Sequence, residues 1–175
     1  MAPNTNFLDI SYLKNGNERQ KKAYQILNEN YILEKLNHFT PILVGTIPIN
    51  IAIESSDLDI ICDVNDEEEF ITTLKNHFQN EKGFVISKNA NLNAVKSNFL
   101  IEDFEIEIFG QNIPTQQQNA YRHMLIEHKI LLEKGEAFRQ QIIQLKKQGF
   151  KTEPAFSKLL GLEGDAYEEL LKVEF

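Results

Sequence analysis

The sequence predicts an α+β fold, in which a small mixed β-sheet with flanking helices is followed by a helical C-terminal part. Short apolar segments rich in β-branched residues alternate with amphipathic segments in the first two thirds of the chain. From Thr115 onward, apolar residues recur only at helical spacing. With 175 residues the chain is long enough for one domain with its own core. We expect residues 1–113 to form an α/β core. Residues 114–175 should form a helical extension that packs on this core within one folding unit.

Composition and charge limit the function classes. Hydrophobic residues make up 42% of the chain, which is typical of a globular protein. The 18 basic and 26 acidic residues give a formal charge of −8, which disfavours nonspecific binding to nucleic acid. The single cysteine, Cys62, lies in an apolar run and is expected to be a buried hydrophobe without a disulfide partner. The N-terminus has no signal-peptide pattern and no apolar run approaches 18 residues, so we expect a cytoplasmic protein that does not contact a membrane.

The first helix is predicted over residues 18–36, with Asn17 as its N-cap. Residues 41–44 then form a short apolar strand that ends at Gly45, and residues 57–64 form a second strand. Asn65 is expected to cap a helix that begins with four acidic residues and runs to about Asn80.

Gly83 interrupts the pattern after this helix. The next three segments read as antiparallel strands joined by short turns: residues 84–87, 92–101 and 103–109.

The last third is predicted to be helical. Thr115 and Gln118 form a capping-box pattern for a helix to near Lys134, with Gly135 as its stop. A further helix is expected over residues 136–148. Two short helices follow, beginning at Pro154 and at Asp165.

Asp57 and Asp59 are the strongest candidates for chemistry. Side chains alternate along a strand, so both carboxylates lie on one face, while Leu58 and Ile60 lie on the other. Two such charges about 4–5 Å apart repel by roughly 3–4 kcal/mol at an effective dielectric of 20. A hard cation such as Mg²⁺ removes this conflict and is often held by carboxylates together with substrate phosphates. The alternative is a half-exposed strand with a solvated acidic face.

Two neighbouring features favour the metal site. Gly45-Thr46 ends the preceding strand, where the glycine permits close backbone approach and the hydroxyl can bind phosphate oxygens. Glu105 and Glu107 alternate with isoleucines on a later strand, which can supply a third carboxylate.

These segments resemble the signature of the nucleotidyltransferase superfamily that includes polymerase-beta-like and minimal nucleotidyltransferases. The matching residues are Val44-Gly45-Thr46, Ser56-Asp57-Leu58-Asp59-Ile60 and Ile106-Glu107-Ile108. The rest of the chain, including EIFGQ, AYRHMLIEHKILLEKG and KTEPAFSKLLGLEGDAYEELL, is similar to a bacterial family within that superfamily, designated DUF4269.

The resemblance implies a role for each matching residue. Asp57, Asp59 and Glu107 would be the catalytic acids and the ligands of Mg²⁺ or Mn²⁺, with Glu105 as the rival third acid. Gly45 and Thr46 would hold the triphosphate. We also expect Ser56, beside the motif aspartates, and Arg122 to bind the nucleotide, the latter because a guanidinium group forms paired hydrogen bonds to phosphate oxygens. The implied reaction is attack of a hydroxyl on the α-phosphorus of a nucleoside triphosphate, with pyrophosphate leaving. The third acid accepts the hydroxyl proton or helps to hold a second metal.

The segment from Ile47 to Ile53 departs from the resemblance, because it carries no Lys or Arg for the phosphates. Lys96, Arg122 and Lys129 are the candidates to supply that charge. The acidic balance favours a small molecule or a protein side chain as the hydroxyl acceptor, and a partner protein fits the same composition. The alternative is a nucleotide-binding or interaction module that has lost turnover.

Two further groups of residues allow more than one interpretation. His123 and Glu127 lie four residues apart, where a metal site or, more commonly, an exposed helix-stabilising pair is found. Lys146, Lys147 and Lys151 form a small basic cluster that is expected to be a solvated surface.

Overall fold

A five-stranded mixed sheet forms the centre of the protein. The computed structural model describes residues 5–173, so the first four residues of the N-terminal segment considered above lie outside it. The strand order is β1-β2-β5-β4-β3, with β2 and β5 parallel and the other neighbours antiparallel. The strands are β1 (Ile42–Val44), β2 (Leu58–Asp63), β3 (Lys82–Asn89), β4 (Ala94–Ile101) and β5 (Phe104–Gln111). The predicted α+β class is confirmed.

Helices cover both faces of this sheet. They are α1 (Glu18–Glu29), α2 (Ile32–Lys35), α3 (Glu67–Phe78), α4 (Asn119–Lys147), α5 (Thr152–Leu160) and α6 (Ala166–Leu170). In the described part of the chain, 3₁₀ turns accompany them at Ser11–Asn15, Asn37–Phe39 and Thr115–Gln117.

The alternation of β2 separates two apolar clusters. Ile60 and the fully buried Cys62 pack with α1 and α3 on one face, as expected for a cysteine that serves as a hydrophobe. Ile61 belongs to the other cluster, where α4 and α5 contribute Met124 and Phe156. Since Asp59 has the same parity as Ile61, its side chain belongs to the face that is covered by the C-terminal helices.

Two predictions in the N-terminal half are wrong. The helix expected over 18–36 ends at Glu29, because the Asn30 side chain donates to the carbonyl of Ile26 (2.9 Å) and Tyr31 adopts a left-handed φ of 54°. The N-cap of α3 is Asp66 rather than Asn65, since the Asp66 carboxylate accepts from the backbone N–H groups of Glu68 and Glu69.

The C-terminal half also departs from prediction in its helix starts. Gln118 does not complete a capping box with Thr115: its side-chain amide donates to the carbonyls of Cys62 and Ile113, and α4 begins after it. Gly135, with φ of 78°, interrupts α4 where the stop was predicted. The next helix, α5, begins at Thr152 rather than Pro154.

The three later strands are antiparallel as predicted, with different bounds. Gly83 lies inside β3 at a register irregularity instead of before the strand, and β4 begins at Ala94 rather than Leu92. The division between 1–113 and 114–175 stays a prediction. Within residues 5–173, no helix combines the length and apolar character needed to cross a bilayer.

Candidate active site

Asp57, Asp59 and Glu107 form a cluster on neighbouring strands. The parallel pairing of β2 with β5 places Asp59 opposite Glu107, and Asp57 precedes β2 by one residue. One carboxylate oxygen from each lies within 4.8 Å of the others, and all three side chains are partly buried. Glu105, the rival third acid, is exposed and accepts a hydrogen bond from Asn98 (2.8 Å). The structure thus brings Glu107, rather than Glu105, together with the two aspartates.

Burial and electrostatic repulsion both disfavour the charged forms of these acids. Burial, followed by the charges of Glu107 and Asp57, raises the pKa of Asp59 to about 7. The pKa of Asp57 is also raised, by burial and by the charges of Glu105 and Glu107. One counter-charge comes from β4, where Lys96 Nζ lies 2.5 Å from Glu107 Oε2.

The chain after β1 turns sharply beside this cluster. Gly45 has φ of +79°, and its Cα faces the Asp59 side chain. Thr46 Oγ1 donates to Ser56 Oγ (3.2 Å), and that oxygen accepts from the Ile53 N–H (2.9 Å). Gly45, Thr46 and Ser56, which were predicted to bind nucleotide, therefore lie together at the acids.

The loop between Thr46 and Ser56 is held by polar side chains from the helices. Gln20 of α1 donates to the carbonyls of Ile47 and Pro48. The Arg139 guanidinium donates to Ile49 (2.6 Å) and Asn50 (3.2 Å), and Lys146 Nζ donates to Ile51 (3.1 Å). The segment without cations is thus a buried loop whose carbonyls are bound by cations of α4.

A polar cavity opens on one side of the acids. Its cationic lining residues are Lys96, Lys146 and Lys151, and Thr46 and Ser56 contribute hydroxyls. The prediction that Lys146 belongs to a solvated surface is wrong: it is 8% exposed, and burial lowers its pKa to about 8. Its spacing from Ile142 and Leu145 places it on the apolar stripe of α4, which is the signal in the sequence that reveals its burial.

A second cavity of about 330 Å³ opens on the other side of the acids. Apolar side chains such as Met124 and Phe109 line it together with His123, Glu127 and Glu153. The interpretation of His123 and Glu127 as an exposed pair is wrong, because they are only 6% and 3% exposed.

The two cavities share four lining residues: Thr46, Asp59, Glu107 and Thr152. The acids therefore stand at the boundary between a polar cavity that carries lysines and a less polar one that carries further carboxyl groups.

Two predicted cations lie elsewhere. Arg122 is exposed on α4, donates to Asn119 Oδ1 (3.0 Å) and lines neither of these cavities. Lys129 is also exposed and lines neither. Of the three candidates, only Lys96 reaches the acids.

The three carboxylates suit a hard divalent cation. Their donor set consists of oxygens, their mutual repulsion is only partly offset by Lys96, Lys146 and Lys151, and their spacing allows a common ligand. The residues present therefore fit Mg²⁺ or Mn²⁺.

Comparison with solved structures supports the fold. The chain is 15% identical to a protein in the "structure of GLD-2/RNP-8 complex", with a TM-score of 0.58. The match covers 86% of the present chain and 61% of the other. A structure of the Cid1 poly(U) polymerase with Mg 3'-dATP bound gives a TM-score of 0.56 at 12% identity, covering 88% of this chain and 48% of that one. The polymerase core of TRAMP, an RNA surveillance complex, gives 0.51 at 12% identity, with 92% and 50% covered.

These neighbours have the polymerase-beta-like nucleotidyltransferase fold, and the present chain shares it. The chain spans only about half to three fifths of the length of these neighbours. No curated protein matches it in sequence. A family model described as "Domain of unknown function (DUF4269)" matches residues 25–173, and the chain therefore belongs to the DUF4269 family.

Proposed function

We propose that this protein is a metal-dependent nucleotidyltransferase, which moves a nucleoside monophosphate from a nucleoside triphosphate to a hydroxyl group. The observation that carries the proposal is the convergence of Asp57, Asp59 and Glu107 beside the Gly45-Thr46 turn. The Mg 3'-dATP bound to the structurally similar Cid1 poly(U) polymerase supports a nucleotide and a divalent metal as ligands.

The polar cavity is the proposed place for the triphosphate. Lys96, Lys146 and Lys151 supply the positive charge that the loop from Ile47 to Ile53 lacks. The hydroxyls of Thr46 and Ser56 are already ordered by their mutual hydrogen bond. The first turn of α5 adds backbone N–H groups, since Lys151 at its N-cap makes no side-chain capping bond.

The reaction then takes place at the boundary between the cavities. The acceptor oxygen forms a bond to the α-phosphorus, the bond to the β-phosphate oxygen breaks, and pyrophosphate leaves with the electron pair. The hydroxyl proton passes to a carboxylate oxygen of the cluster. When bound by Asp57, Asp59 and Glu107, Mg²⁺ or Mn²⁺ supplies positive charge to the phosphate oxygens.

The proposed acceptor is a small molecule or a protein side chain rather than RNA. A net charge of −8 repels a polyanion, and the second cavity, of about 330 Å³, suits a small molecule or one side chain. Two structural neighbours are a poly(U) polymerase and the polymerase core of an RNA surveillance complex, so an RNA oligonucleotide belongs in the acceptor panel as the competing case.

The test is to incubate the protein with each labelled nucleoside triphosphate and Mg²⁺ or Mn²⁺, across an acceptor panel, and to measure pyrophosphate release. Asp57→Asn and Asp59→Asn should abolish release, while Asp63→Asn, on the same strand but outside the cluster, should retain it. Triphosphate binding without pyrophosphate release in the unaltered protein would instead identify a nucleotide-binding module without turnover.

A further inference from the structure

We propose that the second cavity is the acceptor site and that it recognises an amine, so that the acceptor is a small molecule bearing both a hydroxyl and an ammonium group. The hydroxyl group of the acceptor rests on the proposed nucleotidyl transfer, whereas its amine is inferred from the residues that line the cavity.

The first observation that supports an amine is the environment of Glu127. Its side chain lines the cavity, is 3% exposed, and among the described residues its Oε1 atom has no hydrogen-bond partner. A buried carboxyl group with an unmet hydrogen bond is costly to the free protein. A ligand in the cavity that donates a hydrogen bond to Oε1 would remove that cost.

Neighbouring groups also present acceptors to this cavity. His123 Nε2 lies 2.8 Å from the backbone oxygen of Tyr167, so that the neutral form of the ring carries its proton on Nε2 and presents Nδ1 as an acceptor. Glu153 Oε1 lies 3.7 Å from that Nδ1. An ammonium group carries three donors and no acceptor, which suits a site whose polar groups accept.

The charge of the lining points to the same ligand. Four carboxyl groups line the cavity, from Asp59, Glu107, Glu127 and Glu153, and none of its described lining residues is Lys or Arg. Burial and the charge of Glu153 raise the pKa of Glu127 well above its ordinary value. An ammonium ion would favour ionised carboxylates, whereas a triphosphate would be repelled.

The position of the cavity fits an acceptor. It shares Thr46, Asp59 and Glu107 with the polar cavity, so a hydroxyl that extends from an amine held at Glu127 and Glu153 reaches toward the acids. In the transfer step that hydroxyl oxygen bonds to the α-phosphorus, its proton passes to a cluster carboxylate, and the amine is unchanged.

The chain offers a direct reporter for the test. Its only methionines are Met1 and Met124, and Met124 lines the cavity. Protein with ¹³C-labelled methionine methyl groups is titrated with ethanolamine and glucosamine, and in parallel with their neutral counterparts ethylene glycol and glucose. The two amines should shift the Met124 methyl resonance saturably, and the neutral compounds should not.

Two variants assign the effect to the carboxyl groups. Glu127→Gln has the shape of the neutral carboxyl group, and it should weaken amine binding by about tenfold or more. Glu153→Gln, at a less buried position, should weaken it in the same direction. Glu133→Gln, on the exposed side of α4, should leave it unchanged. Equal shifts from amine and neutral compounds, no shift from either amine, or full amine affinity in both cavity variants would overturn the inference.

A separate measurement distinguishes this inference from the proposed function. Binding of ATP with Mn²⁺ should be weakened by Asp59→Asn and unaffected by Glu127→Gln. If ATP binding and pyrophosphate release are absent while amine binding persists, the nucleotidyl transfer is wrong and the amine site stands. If Glu127→Gln instead weakens ATP binding, the cavity holds the nucleotide and the acceptor assignment is wrong.

Discussion

Gly45 and Asp59 lie so close together that the glycine has no room for a side chain: an ideal β-carbon on Gly45 would lie 2.3 Å from Asp59 Oδ2. We expected this glycine to admit a phosphate group. In the structure, the oxygen that approaches it belongs to the Asp59 carboxylate. Gly45 therefore determines both the turn after β1 and the position of a carboxylate in the acidic cluster.

Gly45→Ala should weaken metal binding as well as the fold. The positive φ of +79° costs a non-glycine residue about 1–2 kcal/mol. The added methyl group must also displace the Asp59 carboxylate from the cluster. We expect the Kd for Mn²⁺, measured by isothermal titration calorimetry, to rise about tenfold or more.

Gly135→Ala is the matched control for this variant. Gly135 has an almost equal φ of +78°, and a β-carbon there meets no atom of residues 5–173 within 4 Å. It should lose comparable stability in urea unfolding and keep its Mn²⁺ affinity. Equal losses of Mn²⁺ affinity in both variants would show that backbone strain, and not contact with Asp59, is responsible.

The pKa of Asp59 predicts a specific pH dependence of stability in metal-free protein. The folded-state pKa of about 7 lies above the ordinary value of 3.8, so between these values the folded protein binds more protons than the unfolded chain. This carboxyl group therefore lowers the free energy of unfolding as pH rises from about 4 to 7. Asp59→Asn should gain stability relative to the unaltered protein over that range, by at least about 1 kcal/mol at pH 7.

Asp63→Asn tests whether this gain belongs to the cluster. Asp63 lies on the same strand, opposite Gln111 and away from the other acids. Its stability difference from the unaltered protein should change little between pH 4 and 7 in urea titrations. If Asp59→Asn shows no larger change than Asp63→Asn, burial and repulsion do not raise the pKa of Asp59.

The acidic cluster was predictable because strand alternation fixes the direction of side chains. Asp57, Asp59 and Glu107 lie in segments whose period of two is visible in the sequence, and a parallel pairing of the two strands suffices to bring them together. Glu105 has the same alternation as Glu107. Only the register, in which Asp59 lies opposite Glu107, distinguishes the two glutamates, and register depends on tertiary packing.

The residues of α4 that line the two cavities could not be predicted from strand alternation. Lys146, Glu127 and His123 lie on helices far along the chain from the acids, and nothing local in the sequence specifies which face of the sheet α4 covers. The position of Glu127 among Met124, Ile130 and Leu131 indicates a buried face. It does not indicate what that face encloses. The starts of α4 at Asn119 and of α5 at Thr152 were also missed. At the first of these, the Gln118 amide donates to the carbonyls of Cys62 and Ile113 instead of forming the expected capping box.

Arg139→Met should destabilise the loop that follows Gly45. The buried Arg139 guanidinium donates to the carbonyls of Ile49 and Asn50, and methionine fills similar space without donors. Loss of these charge-assisted hydrogen bonds should lower the free energy of unfolding by about 2–4 kcal/mol, measured in urea. Arg122→Met, at an exposed position on the same helix, should change it by less than about 0.5 kcal/mol. A small effect at Arg139 would mean that the loop is held by its apolar contacts alone.

Lys96 is expected to compete with the metal for Glu107. Its ammonium lies 2.5 Å from Glu107 Oε2, and the pair is partly exposed, with 38% and 25% of the two side chains accessible. Such pairs contribute about 0.2–1 kcal/mol, so releasing Glu107 should tighten Mn²⁺ binding only modestly. Lys96→Met at pH 8, without nucleotide, should lower the Kd for Mn²⁺ by roughly two- to fivefold.

The same variant should weaken nucleotide binding, because Lys96 lines the polar cavity proposed for the triphosphate. Opposite changes in the affinities for Mn²⁺ and for ATP in one variant are difficult to produce by general destabilisation. Lys88 lies on the neighbouring strand β3 and pairs with Glu67 of α3, so Lys88→Met should change neither affinity. If Lys96→Met weakens Mn²⁺ binding, Lys96 supports the geometry of Glu107 rather than competing with the metal. Unchanged ATP affinity would remove Lys96 from the phosphate site and leave that charge to Lys146 and Lys151.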